Sequence, residues 1–183
     1  MKTFFTLAVA YAVLITSSCI SDNKKMHGST ADTGHLAAAT GKPTAAATTT
    51  IGGIDTVKAN NHIVLTANDR MQFSDTLFKV KAAQPITVKL TNIGKMPKAS
   101  MGHNFTILAK GVDFTAYVTK ALHASQTDYQ PADMQSSVIA HTKLVGPGET
   151  DEITFKLPNK GIFDFLCTFP NHYGSMRGKL VAE

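Results

Sequence analysis

The 183-residue chain has no tryptophan and only two cysteines, Cys19 and Cys167. Because these cysteines lie in very different sequence contexts, we do not expect a disulfide between them, and the folded part of the chain is left with one thiol. No run of Lys or Arg resembles a nucleic-acid-binding stripe, and the net charge of +5 is spread along the chain. Nucleic acid is therefore not an expected partner, and the charge supports only weak steering towards an acidic protein.

The chain also lacks an apolar run long enough to span a bilayer, since its longest such run, residues 4–15, has the length of a signal-peptide core. The small residues Thr16-Ser-Ser before Cys19 resemble the lipobox of bacterial lipoproteins, although that motif prefers Leu where Thr16 stands. The pattern predicts a lipoprotein-type signal peptide over residues 1–18 and a lipidated Cys19. Ordinary cleavage near an incidental cysteine and a retained transmembrane anchor are the alternatives.

Hydrophobic periodicity is absent from the segment after the signal. Residues 19–58 are rich in Ala, Thr, Ser and Gly, and we predict a lipidated cysteine followed by a flexible linker. Met26, His27 and His35 lie in this segment, and we interpret them as solvated linker residues rather than as a loose metal site. The folded domain is predicted over residues 59–183.

From residue 59 the sequence consists of short alternating segments separated by Gly, Pro and Asn, which is typical of an all-β sandwich or barrel. Turns are predicted at 147–148 (Pro-Gly) and at 159–161 (Asn-Lys-Gly). The eight predicted strands cover residues 63–66, 77–80, 86–91, 104–108, 138–142, 153–157, 162–167 and 178–181.

One segment of the predicted domain has helical periodicity. Within residues 113–122, the side chains of Phe114, Tyr117, Val118 and Leu122 are spaced to form one face of a short helix. This helix belongs to a long excursion between two predicted strands.

Potential metal ligands are concentrated near the C-terminus, in the segment Cys167-Thr-Phe-Pro-Asn-His172 and the following Met176. A second histidine, His103, lies far upstream. Two imidazoles and a thiolate with a weak axial thioether form the ligand set of a blue-copper electron-transfer site. Cys167 alone would suit a buried inert thiol equally well, but His172 and Met176 at fixed offsets favour a role as a ligand.

Groups around the thiolate are expected to tune such a site. Side chains alternate along a strand, so Cys167 is predicted to share the core face of its strand with Phe163 and Phe165. The backbone N–H of Phe169 is a candidate donor to the Cys167 sulfur. Asn104 is a candidate to join its own strand to the region of Thr168.

Longer motifs carry a family resemblance. The chain resembles the azurins, which are bacterial cupredoxins, from about residue 59 to the end. The resemblance implies a cupredoxin-like Greek-key β-sandwich of about eight strands with a helical flap, one type 1 copper per chain, and a weak fifth copper contact from the carbonyl of Gly102. The matching motifs are Arg70-Met-Gln-Phe73, Met101-Gly-His-Asn104, Val138-Ile-Ala-His-Thr-Lys-Leu144 and Cys167-Thr-Phe-Pro-Asn-His172 with Met176.

Three departures from the azurin pattern have physical consequences. Asn61 and Ala83 stand where the family has a disulfide, so this cross-link is predicted to be absent. Phe105 replaces a core tryptophan. Asn92 replaces a titrating histidine, and the pH dependence that such a histidine confers is not expected here.

The predicted function is that of a membrane-tethered electron carrier, with c-type cytochromes or copper enzymes as redox partners. We expect a monomer in the periplasm or cell envelope that is not an enzyme, because the chain has no second histidine cluster. His62, His123 and His141 are interpreted as surface or hydrogen-bonded structural residues. Copper trafficking or storage is the alternative function.

The resemblance also implies where electrons leave the domain. The imidazole of His172 is expected to reach the surface through a small apolar patch that includes Met101, Pro170 and Leu122. Weak redox encounters use small interfaces, so such a patch suits brief docking.

Overall fold

The computed structural model describes residues 51–183, so Cys19, the predicted signal peptide and the three potential ligands of the linker lie outside the described residues. The described part contains nine strands and two short α-helices, with 3₁₀ turns at Ile54–Thr56, Ser125–Thr127 and Ala132–Ser137. In chain order the elements are β1 (His62–Asn68), β2 (Gln72–Phe73), β3 (Leu77–Val80), β4 (Pro85–Asn92), α1 (Lys98–Met101), β5 (Thr106–Leu108), α2 (Phe114–Ala121), β6 (Val138–His141), β7 (Thr150–Lys156), β8 (Gly161–Leu166) and β9 (Arg177–Ala182).

The strands form two sheets, one in the order β2-β1-β4-β7 and the other in the order β3-β9-β8-β5-β6. Within them β1 pairs with β4 and β3 pairs with β9 in parallel, whereas the remaining pairs are antiparallel. Buried side chains from both sheets, such as Leu65, Leu90, Phe165 and Leu180, belong to one hydrophobic core. The predicted all-β sandwich is therefore confirmed.

Alternation along the strands determines which residues enter the core. In β1 the side chains of Ile63, Leu65 and Ala67 are buried, whereas that of the intervening Val64 is 70% exposed. Each large apolar side chain that is fully buried in this way contributes about 1.5–3 kcal/mol to folding. Phe105 occupies the predicted core position and stacks on Phe165, with the ring centroids 5.0 Å apart.

All eight predicted strands are present, but their ends differ in two places that matter for the site. β5 begins at Thr106 rather than at residue 104, because the N–H of Phe105 bonds to the Thr142 hydroxyl (2.9 Å) instead of to a strand backbone. β8 ends at Leu166, so Cys167 follows the strand and does not lie within it. The ninth strand, β2, has only two residues and was not predicted.

The helical flap is α2, which begins after Asp113. The carboxylate of Asp113 accepts hydrogen bonds from the N–H groups of Thr115 (2.9 Å) and Ala116 (3.1 Å), so it caps the first turn. The predicted face is confirmed at Tyr117 and Val118, but it was wrong at the C-terminal end. Ala121 completes the buried face, whereas the predicted Leu122 is 39% exposed.

No helix among residues 51–183 is long and apolar enough to cross a membrane.

The predicted absence of a disulfide leaves a polar contact in its place. The side-chain amide of Asn61 donates to the carbonyls of Lys81 (3.1 Å) and Pro85 (3.0 Å), and its oxygen accepts from the N–H of Lys81 (2.8 Å). Three hydrogen bonds therefore join the start of β1 to the turn before β4. Ala83 lies in this turn with a left-handed backbone, at φ 60°.

Candidate metal centre

The segment from Cys167 to Met176 folds into a loop of consecutive tight turns whose two ends are paired. The N–H of Cys167 donates to the carbonyl of Met176 (2.9 Å), which pairs the two ends of the loop. Inside the loop the carbonyl of His172 accepts from the N–H groups of Ser175 (3.1 Å) and Met176 (2.8 Å). These backbone bonds hold the loop without any contribution from a bound metal.

The backbone that carries His103 is fixed by a different pair of contacts. His103 and Val145 form an isolated β-bridge, with N–H to carbonyl distances of 3.0 and 2.8 Å. The buried amide of Asn92 donates to the carbonyls of Met101 (3.3 Å) and Val145 (3.2 Å). Asn92 therefore supports the backbone on both sides of this corner through a group that does not titrate.

Gly102 lies in this corner because the space around it admits no side chain. A Cβ atom at this position would come within 2.7 Å of the Lys98 carbonyl oxygen and 2.9 Å of the Leu144 side chain. Such distances are too short for ordinary contact, so any larger residue would displace the backbone next to His103.

The two segments bring three potential metal ligands together. The nitrogen and sulfur ligand atoms of His103, Cys167 and His172 all lie within 4.8 Å of one another. The Cys167 sulfur is 3.7 Å from Nδ1 of His172, and the two imidazole centroids are 4.9 Å apart. All three side chains are at most 2% exposed. Met176 is also fully buried, in the same hydrophobic core as Cys167.

Burial strongly affects the ionisation of these groups. It lowers the pKa of His103, and this shift is opposed by the backbone of Asn68, which lies nearby but outside hydrogen-bond geometry, and by the charge of Asp69. Burial, and then repulsion from His103, lowers the pKa of His172 to about 4. The thiol of Cys167 has its pKa raised to about 12 by burial, which outweighs hydrogen bonding from the backbone N–H groups of Asn104 and Phe169. Near pH 7 the metal-free cluster is therefore uncharged.

The cluster fits a bound metal ion. Among the described residues, the buried side-chain nitrogens that lack a hydrogen-bond partner are Nδ1 and Nε2 of His103. A buried polar atom without a partner costs about 1–3 kcal/mol, and coordination of one of these nitrogens would remove that cost. Borderline imidazole nitrogens together with soft sulfur ligands suit copper. No other group of three or more His, Cys, Asp or Glu side chains in residues 51–183 has this proximity.

The two segments are joined directly behind the cysteine. Asn104 accepts a hydrogen bond from the N–H of Thr168 (2.8 Å) and donates another to the Thr168 hydroxyl (2.7 Å). The ring of Phe169 lies 4.6 Å from that of His172. The side chain of Asn104 and the ring of Phe169 therefore restrict the positions of residues on either side of the cluster.

The remaining described histidines are separate from this cluster. His62, His123 and His141 are all exposed, and Nδ1 of His141 lies 3.0 Å from the Thr142 carbonyl oxygen.

A polar network behind the cluster was not found from the sequence. It links Tyr117 and Gln130 of the flap region to Thr106 and Thr168. No motif or period marks Gln130, which lies in an irregular stretch, and its partners are 13 to 38 residues away in the chain.

Comparison with known proteins agrees with the assignment of the cluster as a copper site. A family model for copper binding proteins of the plastocyanin/azurin family matches residues 59–183. Azurin of Pseudomonas denitrificans is 39% identical to this chain over 120 residues, which cover 63% of the chain and 93% of that azurin. Azurin of Pseudomonas aeruginosa is 40% identical over 121 residues.

Two further relatives extend the comparison. Outer membrane protein H.8 of Neisseria gonorrhoeae is 41% identical over 119 residues, but the match spans only 63% of that protein's length. Among solved structures, auracyanin of the photosynthetic bacterium Roseiflexus castenholzii superposes with a TM-score of 0.62 at 32% identity. That superposition covers 69% of this chain and 99% of auracyanin. The chain belongs to the plastocyanin/azurin family of copper-binding proteins.

Proposed function

We propose that this protein is a one-electron carrier with a single type 1 copper held by His103, Cys167, His172 and Met176, and by a weak contact from the Gly102 carbonyl. When bound, copper supplies reversible one-electron transfer between its Cu(I) and Cu(II) states. The observation that carries the proposal is the buried cluster of two imidazoles and one thiol, formed by two segments that are distant in sequence.

Rigidity of the ligand residues supports a role in electron transfer. The loop is closed by the pairing of Cys167 with Met176, and His103 is fixed by its bridge to Val145. A scaffold that holds its ligands in place limits their movement when the charge of the site changes. Electron transfer therefore does not require a slow rearrangement of the ligand residues.

The burial of the cluster argues against the other functions. A copper enzyme needs an open coordination position for its substrate, whereas the three clustered side chains here are at most 2% exposed. Trafficking and storage need ready exchange of copper with the surroundings, and the closed loop opposes this. We therefore infer that the protein is not an enzyme and that copper stays bound through many electron-transfer cycles.

The electron port is proposed to lie over His172. The imidazole itself is 2% exposed, Met101 and Pro170 are half-buried, and Leu122 is 39% exposed. Pro170 is two residues before His172 in the same loop, and an imidazole that is also a ligand would connect the metal to a partner docked there through few bonds. The proposed partners are c-type cytochromes or copper enzymes.

The proposed location is the periplasm or cell envelope, with the monomeric domain of residues 59–183 tethered through residues 19–58 after removal of residues 1–18. The likeness to outer membrane protein H.8 supports an envelope location. Acylation of Cys19 is the proposed anchor, and two or more acyl chains give stable membrane attachment.

The anchor can be tested on the protein expressed with its own leader. We expect it to partition with membranes and to show an acylated N-terminal Cys19 by mass spectrometry, whereas Cys19→Ala should be released. A soluble mature protein that begins at another residue would contradict the anchor.

Electron self-exchange and copper retention together test the carrier function. We expect the copper-loaded domain to exchange electrons rapidly between its oxidised and reduced forms while losing copper slowly to a chelator. Met101→Lys should slow self-exchange without changing the spectrum, and Lys156→Glu, an exposed change on β7, is the control at moderate salt. Rapid loss of copper with slow self-exchange would favour trafficking, and equal effects of the two substitutions would rule out this port.

A further inference from the structure

The flap is connected to the metal-ligand loop by a chain of buried hydrogen bonds. The hydroxyl of Tyr117 in α2 donates to Oε1 of Gln130 (2.8 Å). Nε2 of Gln130 then donates to the hydroxyls of Thr106 (2.7 Å) and Thr168 (3.2 Å). Thr168 directly follows Cys167, so this chain ends beside the thiol.

Asn104 connects Thr168, at the end of this hydrogen-bond chain, to the sulfur of Cys167. Its amide group donates to the Thr168 hydroxyl (2.7 Å) and to the carbonyl of Asp128 (2.9 Å), and its oxygen accepts from the N–H of Thr168 (2.8 Å). The backbone N–H of the same residue favours the thiolate form of Cys167. A shift of Thr168 would therefore move Asn104 and change the hydrogen bonding to the sulfur.

The backbone that presents Gln130 is strained. Asp128 and Tyr129 both have left-handed backbone angles, with φ values of 54° and 62°, although neither is glycine. The turn is held by the Asp128 carboxylate, which accepts from the N–H of Leu144 (3.1 Å), and by the Thr127 hydroxyl, which donates to the Gln130 carbonyl (2.7 Å). Strain of this kind persists only where surrounding contacts enforce it, and it is concentrated at functional sites.

Packing alone does not explain why the buried residue 130 is a glutamine. The side chain is only 9% exposed, and glutamine is rarely so buried. A leucine or methionine would fill a similar volume with no need for partners. In this chain Gln130 has a bond to Tyr117 on one side and bonds to Thr106 and Thr168 on the other, so each amide function has a partner.

We propose that Gln130 is a positioning residue for the copper site, which fixes Thr168 and, through it, the Asn104 N–H that faces the Cys167 sulfur. The proposal rests on the proposed copper site for its effect on the redox properties. Hydrogen bonds to a thiolate withdraw electron density from it, so their weakening favours Cu(II). Loss of the Gln130 contacts should therefore lower the reduction potential.

The central variant for the test is Gln130→Leu, which keeps most of the volume and removes all three side-chain hydrogen bonds. Tyr117→Phe removes only the outer bond of the chain and should have a smaller effect in the same direction. Val118→Ala is the matched control, because Val118 is a buried flap residue of the cluster that contains Tyr117 and has no part in the hydrogen-bond chain.

Two readouts separate a positioning role from a purely structural one. In the metal-free protein, the Thr168 amide hydrogen should exchange about tenfold faster in Gln130→Leu, as expected for the loss of one buried hydrogen bond. In the copper-loaded protein, the potential should fall and the thiolate-to-copper absorption band should shift. Val118→Ala should change neither property beyond its effect on overall stability.

The proposal would be overturned if Gln130→Leu kept the wild-type Thr168 exchange rate and potential, or if Val118→Ala changed both to the same extent at equal stability. If Gln130→Leu does not fold, the same criteria apply to Tyr117→Phe. Failure of the wild-type protein to give a thiolate-to-copper band would contradict the proposed function instead. The exchange measurement on metal-free protein tests the positioning role independently of that outcome.

Discussion

Two polar side chains of the sandwich, Asn61 and His103, differ in how their hydrogen-bonding capacity is met. The amide of Asn61 has three hydrogen bonds to the backbone of the 81–85 turn. His103 is fully buried, and within residues 51–183 neither of its ring nitrogens has a partner. The hydrogen-bonding groups of Asn61 are therefore satisfied by the protein itself. Those of His103 are left without a partner until a further group binds, and this difference identifies the metal centre.

The largest effect is expected from removing the thiol of the metal centre. Cys167→Ser should fold but lose the intense blue band of the oxidised copper protein, because charge transfer from thiolate to Cu(II) requires a copper–sulfur bond. Optical spectroscopy of the copper-loaded variant measures this directly. A blue Cys167→Ser protein would refute the assignment of the ligand.

Lowering the pH should destabilise the metal-free protein through the same site. The pKa of His172 is about 4 when folded and near 6.5 when unfolded, so the unfolded chain takes up the proton first as the pH falls. Between about pH 6.5 and pH 4 the free energy of unfolding should therefore decrease. Denaturant titrations at several pH values measure the slope.

The variant that tests this slope is His172→Gln, which should make it shallower. Part of the slope should remain, because burial also lowers the pKa of His103. His123→Gln, which replaces an exposed histidine, is the matched control. An equal slope in the wild-type protein and in His172→Gln would show that burial does not hold His172 neutral.

Removing the hydrogen bonds of Asn61 should affect only the stability of the fold. Asn61→Ala should lower the free energy of unfolding by about 1–3 kcal/mol, because three hydrogen bonds that join β1 to the 81–85 turn are lost. The copper spectrum should not change. Asn60→Ala is the control and should have the smaller effect, because it removes only the one hydrogen bond that the Asn60 side-chain oxygen accepts from the N–H of His62. An altered spectrum in Asn61→Ala would break the distinction between the two kinds of contact.

The smallest change is expected at the axial position. Met176→Leu should retain copper and colour but raise the reduction potential, since an apolar side chain disfavours Cu(II) relative to Cu(I). Redox titration of the variant measures the shift. If the variant loses copper, Met176 is a primary ligand and its axial role is wrong.

The sequence was most informative where the information is local. Alternating side chains predicted all eight of the longer strands, and the helical spacing of Tyr117 and Val118 located the flap helix. The motif around Cys167 and the distant His103 were predicted as one site, and the structure brings their side chains together.

The features that the sequence did not reveal depend on contacts between distant segments. β2 consists of two residues, which is too short for any periodic signal. The buried face of α2 ends at Ala121 because of how the helix packs, although Leu122 is the more hydrophobic residue. Gln130 has no local signature, since its role depends on Thr106 and Thr168, which other parts of the chain supply.

We propose that the buried cluster of His103, Cys167 and His172 is a preformed blue-copper site. Its most direct test is an optical and electron paramagnetic resonance titration of the metal-free protein with Cu(II), followed by a redox titration. We expect one copper per chain, an intense thiolate-to-copper band, a narrow copper hyperfine splitting and a reversible one-electron wave. A colourless complex with the spectrum of ordinary tetragonal Cu(II), or more than one equivalent copper per chain, would contradict it.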